Sequence, residues 1–246
     1  MLSAFFWGLV AASSLILGGV LGSWLTLSKR TLGIIMAFGA GVLISAVAYE
    51  LVFEAVRLAK LSGFPTMGFM LGAFTFFVSD KLIGEMGGGQ RKNINAAHQS
   101  NLAVPLVLAI ILDGLPESVV IGLGVLEGGT VSLGMLVAVF ISNVPEAVAG
   151  TTGLRSGGWS RTKILLLWLL IAVVCAVASS AGYALFGDLP PRWLSFVNAF
   201  AGGAILMMLA NTMMPEAFEH GGKLAGVFTV LGFIVSVWVI ALEHSF

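Results

Sequence analysis

Asp113 and Glu117 stand four residues apart, with Pro116 between them, inside the apolar stretch ILDGLPESVVIGL (111–123). The segment SNVPEAVA (142–149) repeats the arrangement: aligned without a gap on DGLPESVV (113–120), it sets Ser142 against Asp113, Asn143 against Gly114, Pro145 against Pro116 and Glu146 against Glu117. On a helix, residues i and i+4 share one face. Two such faces in contact would gather three carboxylates and a hydroxyl. Clustered ionised carboxylates repel one another, and a divalent cation removes that repulsion. Each proline also frees a carbonyl four residues back, Leu112 for Pro116 and Ile141 for Pro145. The chemistry these residues suggest is oxygen-based cation binding at a pair of kinked helices.

The elements that must hold these groups are membrane spans. Hydrophobic residues make up 58% of the 246-residue chain and charged ones only 10%, against about 25% charged in soluble domains; mean hydropathy is +1.03. Twelve basic residues balance twelve acidic ones, so no nucleic-acid partner is expected, and the surroundings are membrane lipid. A spanning helix takes about 20 mostly apolar residues. Eight segments meet this: 3–26, 31–57, 66–84, 103–125, 131–153, 163–187, 193–218 and 223–243. The third is the weakest, since Asp80 and Lys81 cut it short at the expected membrane edge. The first reads as a span and not a cleaved signal, because it lacks a basic leader and its apolar run is too long. The whole chain, 1–246, reads as one transmembrane domain, with a polar loop over about 84–102.

With alternating loops, Lys29, Arg30, Lys81, Arg91, Lys92, Arg155, Arg161, Lys163 and Lys223 fall on one side, and Arg57, Lys60 and Arg192 on the other. Basic loops stay cytoplasmic. Both termini are therefore expected outside, the 84–102 loop inside, and the protein in a plasma (inner) membrane.

A second internal likeness joins spans 2 and 7. AFGAGVLISAVAYELVFEA (37–55) matches AFAGGAILMMLANTMMPEA (199–217) at Ala37/Ala199, Phe38/Phe200, Gly41/Gly203, Ala48/Ala210, Glu54/Glu216 and Ala55/Ala217. One copy runs outward and the other inward, which makes an inverted repeat of the kind that underlies alternating-access transporters.

Depth sharpens the reading. At 1.5 Å per residue, Asp113 and Ser142 lie roughly 15 Å from the ends of their spans, at the bilayer midplane. A charged side chain there costs on the order of 2.5–3.5 kcal/mol, so Asp113, Glu117 and Glu146 facing lipid would cost on the order of 10 kcal/mol. They must face water, a cation, or each other while protonated. The bland alternative is a buried hydrogen-bond network. Two matched Pro-Glu elements at one depth favour an ion site, since ionisable groups within a membrane usually serve function.

These residues resemble the ZIP (Zrt-/Irt-like) family of divalent-metal transporters. DGLPES (113–118) and SNVPEA (142–147) stand where that family carries its span-4 and span-5 metal motifs, and AYELVFEA (48–55) and ANTMMPEA (210–217) look like its span-2 and span-7 elements. The resemblance implies an all-α polytopic fold of eight spans, with spans 1–3 and 6–8 as an inverted repeat around spans 4 and 5. It implies Asp113, Glu117, Ser142 and Glu146 as metal ligands, with Asn143 auxiliary, and a homodimer by analogy. The chain departs from the family at several points: Asp113 replaces the usual span-4 histidine, Gly114 the neighbouring asparagine, and Ser142 a span-5 histidine or glutamine. No acidic residue lies between Lys163 and Phe186, where two-metal members carry a span-6 glutamate, and the histidine-rich loop is reduced to His98. One metal is therefore expected. An almost all-oxygen set suits Mn²⁺, Fe²⁺ or Mg²⁺, although Zn²⁺ outranks Mn²⁺ and Fe²⁺ in raw affinity. The metal is cargo, and no prosthetic group is expected.

Secondary candidates are fewer. Glu50 and Glu54, again i and i+4, read as an outer entrance site or an interfacial anchor. Glu216, Glu219 and His220 near the inner end of span 7 read as a release site or, preferably, a solvated helix end. Cys175, the single cysteine, reads as a small hydrophobe, and MLANTMM (208–214) as packing. An intramembrane protease is disfavoured: His98, His220 and His244 all lie at loops or ends, and Asp113 is the lone midplane aspartate. A metal-binding sensor or scaffold without transport is the stronger rival.

Overall fold

The computed structural model describes residues 1–25, 27–59, 62–86, 103–128 and 131–243, with side chains set aside for 103–106 and 127–128. Lys60, residues 87–102 (including Arg91, Lys92 and His98) and His244 lie outside them.

The described residues are helical, with no strand among them. Eight helices are long and apolar enough to cross a membrane, and the protein is an integral multi-pass membrane protein. The spans are Leu2–Trp24, Lys29–Ala59, Phe64–Glu85, Val107–Leu126, Leu133–Ser156, Arg161–Phe186, Pro191–Gly221 and Leu224–Glu243, called spans 1 to 8 below. Span 4 belongs to a longer helix, Ala103–Gly128. Span 3, expected over 66–84, runs from Phe64 to Glu85 and carries Asp80 and Lys81 within its last turns. Serines open three of the spans: Ser28, Ser132 and Ser160 accept from the backbone N–H groups of Thr31, Met135 and Lys163, which would otherwise have no partner in the first helical turn.

Burial follows the inverted repeat. Spans 3 and 8 have 17% of their apolar window buried each, spans 1 and 6 have 44% and 39%, and spans 2 and 7 have 67% and 56%. Spans 4 and 5, at 50% and 67%, complete the interior. The outer pair shows lipid-facing side chains such as Met70, Phe74, Val230, Ile234 and Trp238.

Packing is reciprocal down to single glycines. A methyl on Gly41 of span 2 would overlap the carbonyl of Thr229 in span 8, and one on Gly232 of span 8 the carbonyl of Phe38 in span 2. The same exchange joins spans 7 and 3: Gly203 meets the Phe69 carbonyl, and Gly72 the Phe200 carbonyl. Gly41/Gly203 and Phe38/Phe200 are the repeat-related pairs of the sequence. Membrane helices gain little from the hydrophobic effect between themselves, so close approach through small residues supplies their packing energy.

Spans 2 and 7 also share a feature that the residue pattern does not announce. Each leaves the α-helical register for a π-helical segment, Val47–Phe53 in one and Leu209–Met213 in the other. Val47 and Leu209 are equivalent positions in the gapless alignment, so the wide turn belongs to the repeat. Such turns often mark functional sites.

Span 6 is fixed to spans 1 and 5 by Trp168, which is fully buried. Its ring lies against Gly19 and Gly150, and its indole N–H donates to Thr151 Oγ1 at 2.8 Å. Trp168→Phe leaves that hydroxyl without its donor and opens a gap; the expected loss is about 1–3 kcal/mol. Thermal unfolding in detergent checks this, and an unchanged midpoint would contradict the anchoring role.

Candidate metal centre

All five centrally placed residues are buried: Asp113 and Glu117 at 2% exposure, Ser142 at 1%, Asn143 at 5% and Glu146 at 8%. Their i, i+4 faces thus turn inward, as the midplane cost demands. Both prolines lie inside unbroken helices, Pro116 in Ala103–Gly128 and Pro145 in Leu133–Ser156. On span 4, the Ser118 hydroxyl donates to the Gly114 carbonyl at 2.7 Å, across the proline turn. On span 5, the Ser142 hydroxyl donates to the Val139 carbonyl at 3.0 Å. That bond uses the Ser142 proton and leaves its oxygen lone pairs for another group.

Gly39 of span 2 brings a third element to this level. A Cβ on it would stand 3.0 Å from Ser142 Cα, 3.2 Å from Met213 Cε and 3.5 Å from the Ile141 carbonyl oxygen. That carbonyl is the one Pro145 releases from the helix ladder. Span 7 therefore also reaches the site, through Met213 at the end of its π-helical segment.

Span 6 contributes Cys175, which the sequence reading set down as a small hydrophobe. It is buried, and its sulfur would stand 3.2 Å from a Cβ on Gly114 of span 4. The signal in the sequence was the small-residue face of span 6, Ala172, Cys175, Ala176 and Ser179, all buried. Among the described residues, no three His, Cys, Asp or Glu side chains stand close enough together to hold one ion. The donors are each buried without being drawn into a single shell.

The outer candidates, Glu50 and Glu54, both line a cavity of about 730 Å³ at the face that carries Glu243. It is bounded by the ends of spans 2, 4 and 8 and the starts of spans 5 and 7, with Arg57, Asn198 and Glu243 among its polar groups. Glu54 is held by Arg57 through a bond of 2.8 Å. The cavity floor is apolar: Leu51, Val120, Ile121 and Met135 line it and are each nearly inaccessible. Ile121 follows Glu117 by four residues, about one helical turn along span 4, and Glu117 itself does not line the cavity. Asn198 and Glu243 were not anticipated. An acidic residue in the last turn opposes its own helix dipole, and that was the legible sign that Glu243 has business elsewhere.

At the opposite face, Glu216 is not at a solvated helix end. It is buried at 8% exposure, because Gly33 of span 2 lets span 7 close on it through the Ala217 carbonyl, the His220 Cβ and the Gly221 nitrogen. His220 Nδ1 lies 3.0 Å from the Glu216 carbonyl oxygen. Its repeat partner Glu54 is instead at the cavity rim, so the two equivalent carboxylates occupy unlike surroundings.

No family model matches the chain, and no curated protein matches it.

Proposed function

We propose that this protein transports divalent metal cations of the Mn²⁺, Fe²⁺ and Zn²⁺ class, on the plan of the ZIP family. The cation is carried at mid-membrane between spans 4 and 5, on Asp113, Glu117, Ser142 and Glu146, with Asn143 auxiliary. The observation that carries this reading is the burial, in the interior of an eight-span bundle with reciprocal repeat packing, of two matched Pro-Glu elements. Carboxylates so placed need a charge partner or protons; a dication that draws them inward supplies the first.

In this reading the flanking repeats give access to the site alternately from the two faces. The cavity at the Glu243 face is the outer approach, with Glu50 and Glu54 attracting cations, and the apolar floor below it is the closed outer gate. The basic-loop bias sets that face outward and the protein in a plasma (inner) membrane. The oxygen-rich donor set favours Mn²⁺ and Fe²⁺, while Zn²⁺ competes on intrinsic affinity. The protein acts as a carrier and not an enzyme, and the family analogy makes it a homodimer.

Purified protein in proteoliposomes loaded with a metal-sensitive dye tests this directly. Flux of at least one of Mn²⁺, Fe²⁺ or Zn²⁺ above empty vesicles is the expected result. Binding without flux would replace the reading with a metal-sensing scaffold; neither binding nor flux would remove it.

A further inference from the structure

Most close glycine contacts fall within two groups of spans: 1, 4, 5 and 6 meet through Gly8, Gly18, Gly19 and Gly122, and 2, 3, 7 and 8 through Gly33, Gly41, Gly72 and Gly203, while Gly39 and Gly134 bridge the two groups. At the cavity rim the groups are tied by a polar clamp. Glu243, the last residue of the span 8 helix, takes hydrogen bonds from the first turn of span 5: Ser132 Oγ at 3.1 Å, Leu133 N at 3.0 Å and Gly134 N at 3.1 Å. Just below, Gly134 is enclosed from the same side. A Cβ there would stand 2.6 Å from Ile240 Cγ1 of span 8 and 3.2 Å from Glu50 Oε1 of span 2.

The chemistry of this contact is one-directional. The first N–H groups of a helix have no acceptor within it and form the positive end of its dipole. A carboxylate there is stabilised by both effects. At the end of its own helix, Glu243 faces the negative pole, so its favourable interaction lies wholly with the other group. Ser132 and Glu243 of the clamp both line the cavity, together with the apolar Ile121 and Met135.

The geometry points to Glu243 as a latch that holds the start of span 5 against spans 2 and 8 and keeps the Glu243 face shut above the central carboxylates. Any motion that parts the span 4–5 pair from spans 2 and 8 at this face must break it. That such motion occurs in a working cycle rests on the transport reading; the latch contact does not.

The test places spin-labelled unnatural amino acids at Leu185, at the end of span 6, and Met67, at the start of span 3. Both are exposed, on the Glu243 face, and in different groups. Double electron–electron resonance in liposomes should give one dominant distance for the otherwise wild-type protein. Glu243→Ala should raise the population at longer distance about tenfold or more, the change expected from losing about 1.4 kcal/mol of charge-assisted bonding. Glu243→Gln, which keeps an acceptor oxygen, should have a smaller effect. Gly134→Ala, which pushes Ile240 and Glu50 away, should move the distribution in the same direction as Glu243→Ala. Wild-type distributions in both Glu243→Ala and Gly134→Ala would overturn the latch. Cation uptake in the same samples separates the two ideas. A shifted distance with no uptake even by wild type keeps the latch and removes transport. Unshifted distances with normal uptake remove the latch and leave transport standing.

Discussion

If the protein carries cations as proposed, replacing Glu117 or Glu146 with glutamine should abolish cation uptake while the protein still inserts and folds. Glutamine matches glutamate in volume, and both positions are buried at 2% and 8% exposure, so the exchange removes charge and little else. Truncating one partner of a buried charge pair costs roughly 2–5 kcal/mol, which lowers a tenfold-per-1.4 kcal/mol process to near background. The ion-free protein should be no less stable, because a buried ionised carboxylate is the more expensive group to hold out of water. Two measurements therefore move in opposite senses: uptake per inserted protein falls to that of empty vesicles, and the melting midpoint without metal holds or rises. Wild-type uptake in either variant would remove the residue from the site.

Alanine at Gly41 or Gly203 should be among the most damaging small substitutions at the described residues. In both cases the new methyl meets a backbone carbonyl of the facing helix, Thr229 or Phe69, and a carbonyl cannot rotate aside as a side chain can. Overpacking costs about 1–3 kcal/mol where neighbours can shift, and here two helices must separate. Loss of monodisperse protein, or a large fall in the detergent melting midpoint, is expected for both. Gly63→Ala and Gly153→Ala provide the comparison, since a Cβ at either has nothing within 4 Å. Equal behaviour of the two sets would contradict the reciprocal packing. Because Gly41 and Gly203 are repeat-related, the two variants should also be similarly impaired.

What the residues alone could disclose follows from the range over which each feature is determined. Apolar length is local, so all eight spans were legible, the third included despite Asp80 and Lys81, with ends displaced by a few residues. The likeness of 37–55 to 199–217 was legible as identities, and the paired glycines give it its structural meaning. The π-helical turns at Val47 and Leu209 were not legible, since a register change depends on what the neighbouring helices press against the backbone. Helical spacing correctly turned Asp113, Glu117, Ser142 and Glu146 inward, but spacing fixes a face and not a distance between helices. For the same reason Glu216, at an apparent helix end, proved buried: Gly33 on another span decides that. Glu243 was missed because it acts across spans, at the start of span 5.

The central claim is that carboxylates from two proline-bearing helices converge on one dication at half-depth. Crystals grown with Mn²⁺ and measured at a wavelength of strong manganese anomalous scattering test it most directly. One anomalous peak between spans 4 and 5, within coordination distance of Glu117 and Glu146 and absent in Glu146→Gln, is the predicted result. Saturating Mn²⁺ with no peak there, and the two glutamates still apart, would contradict it.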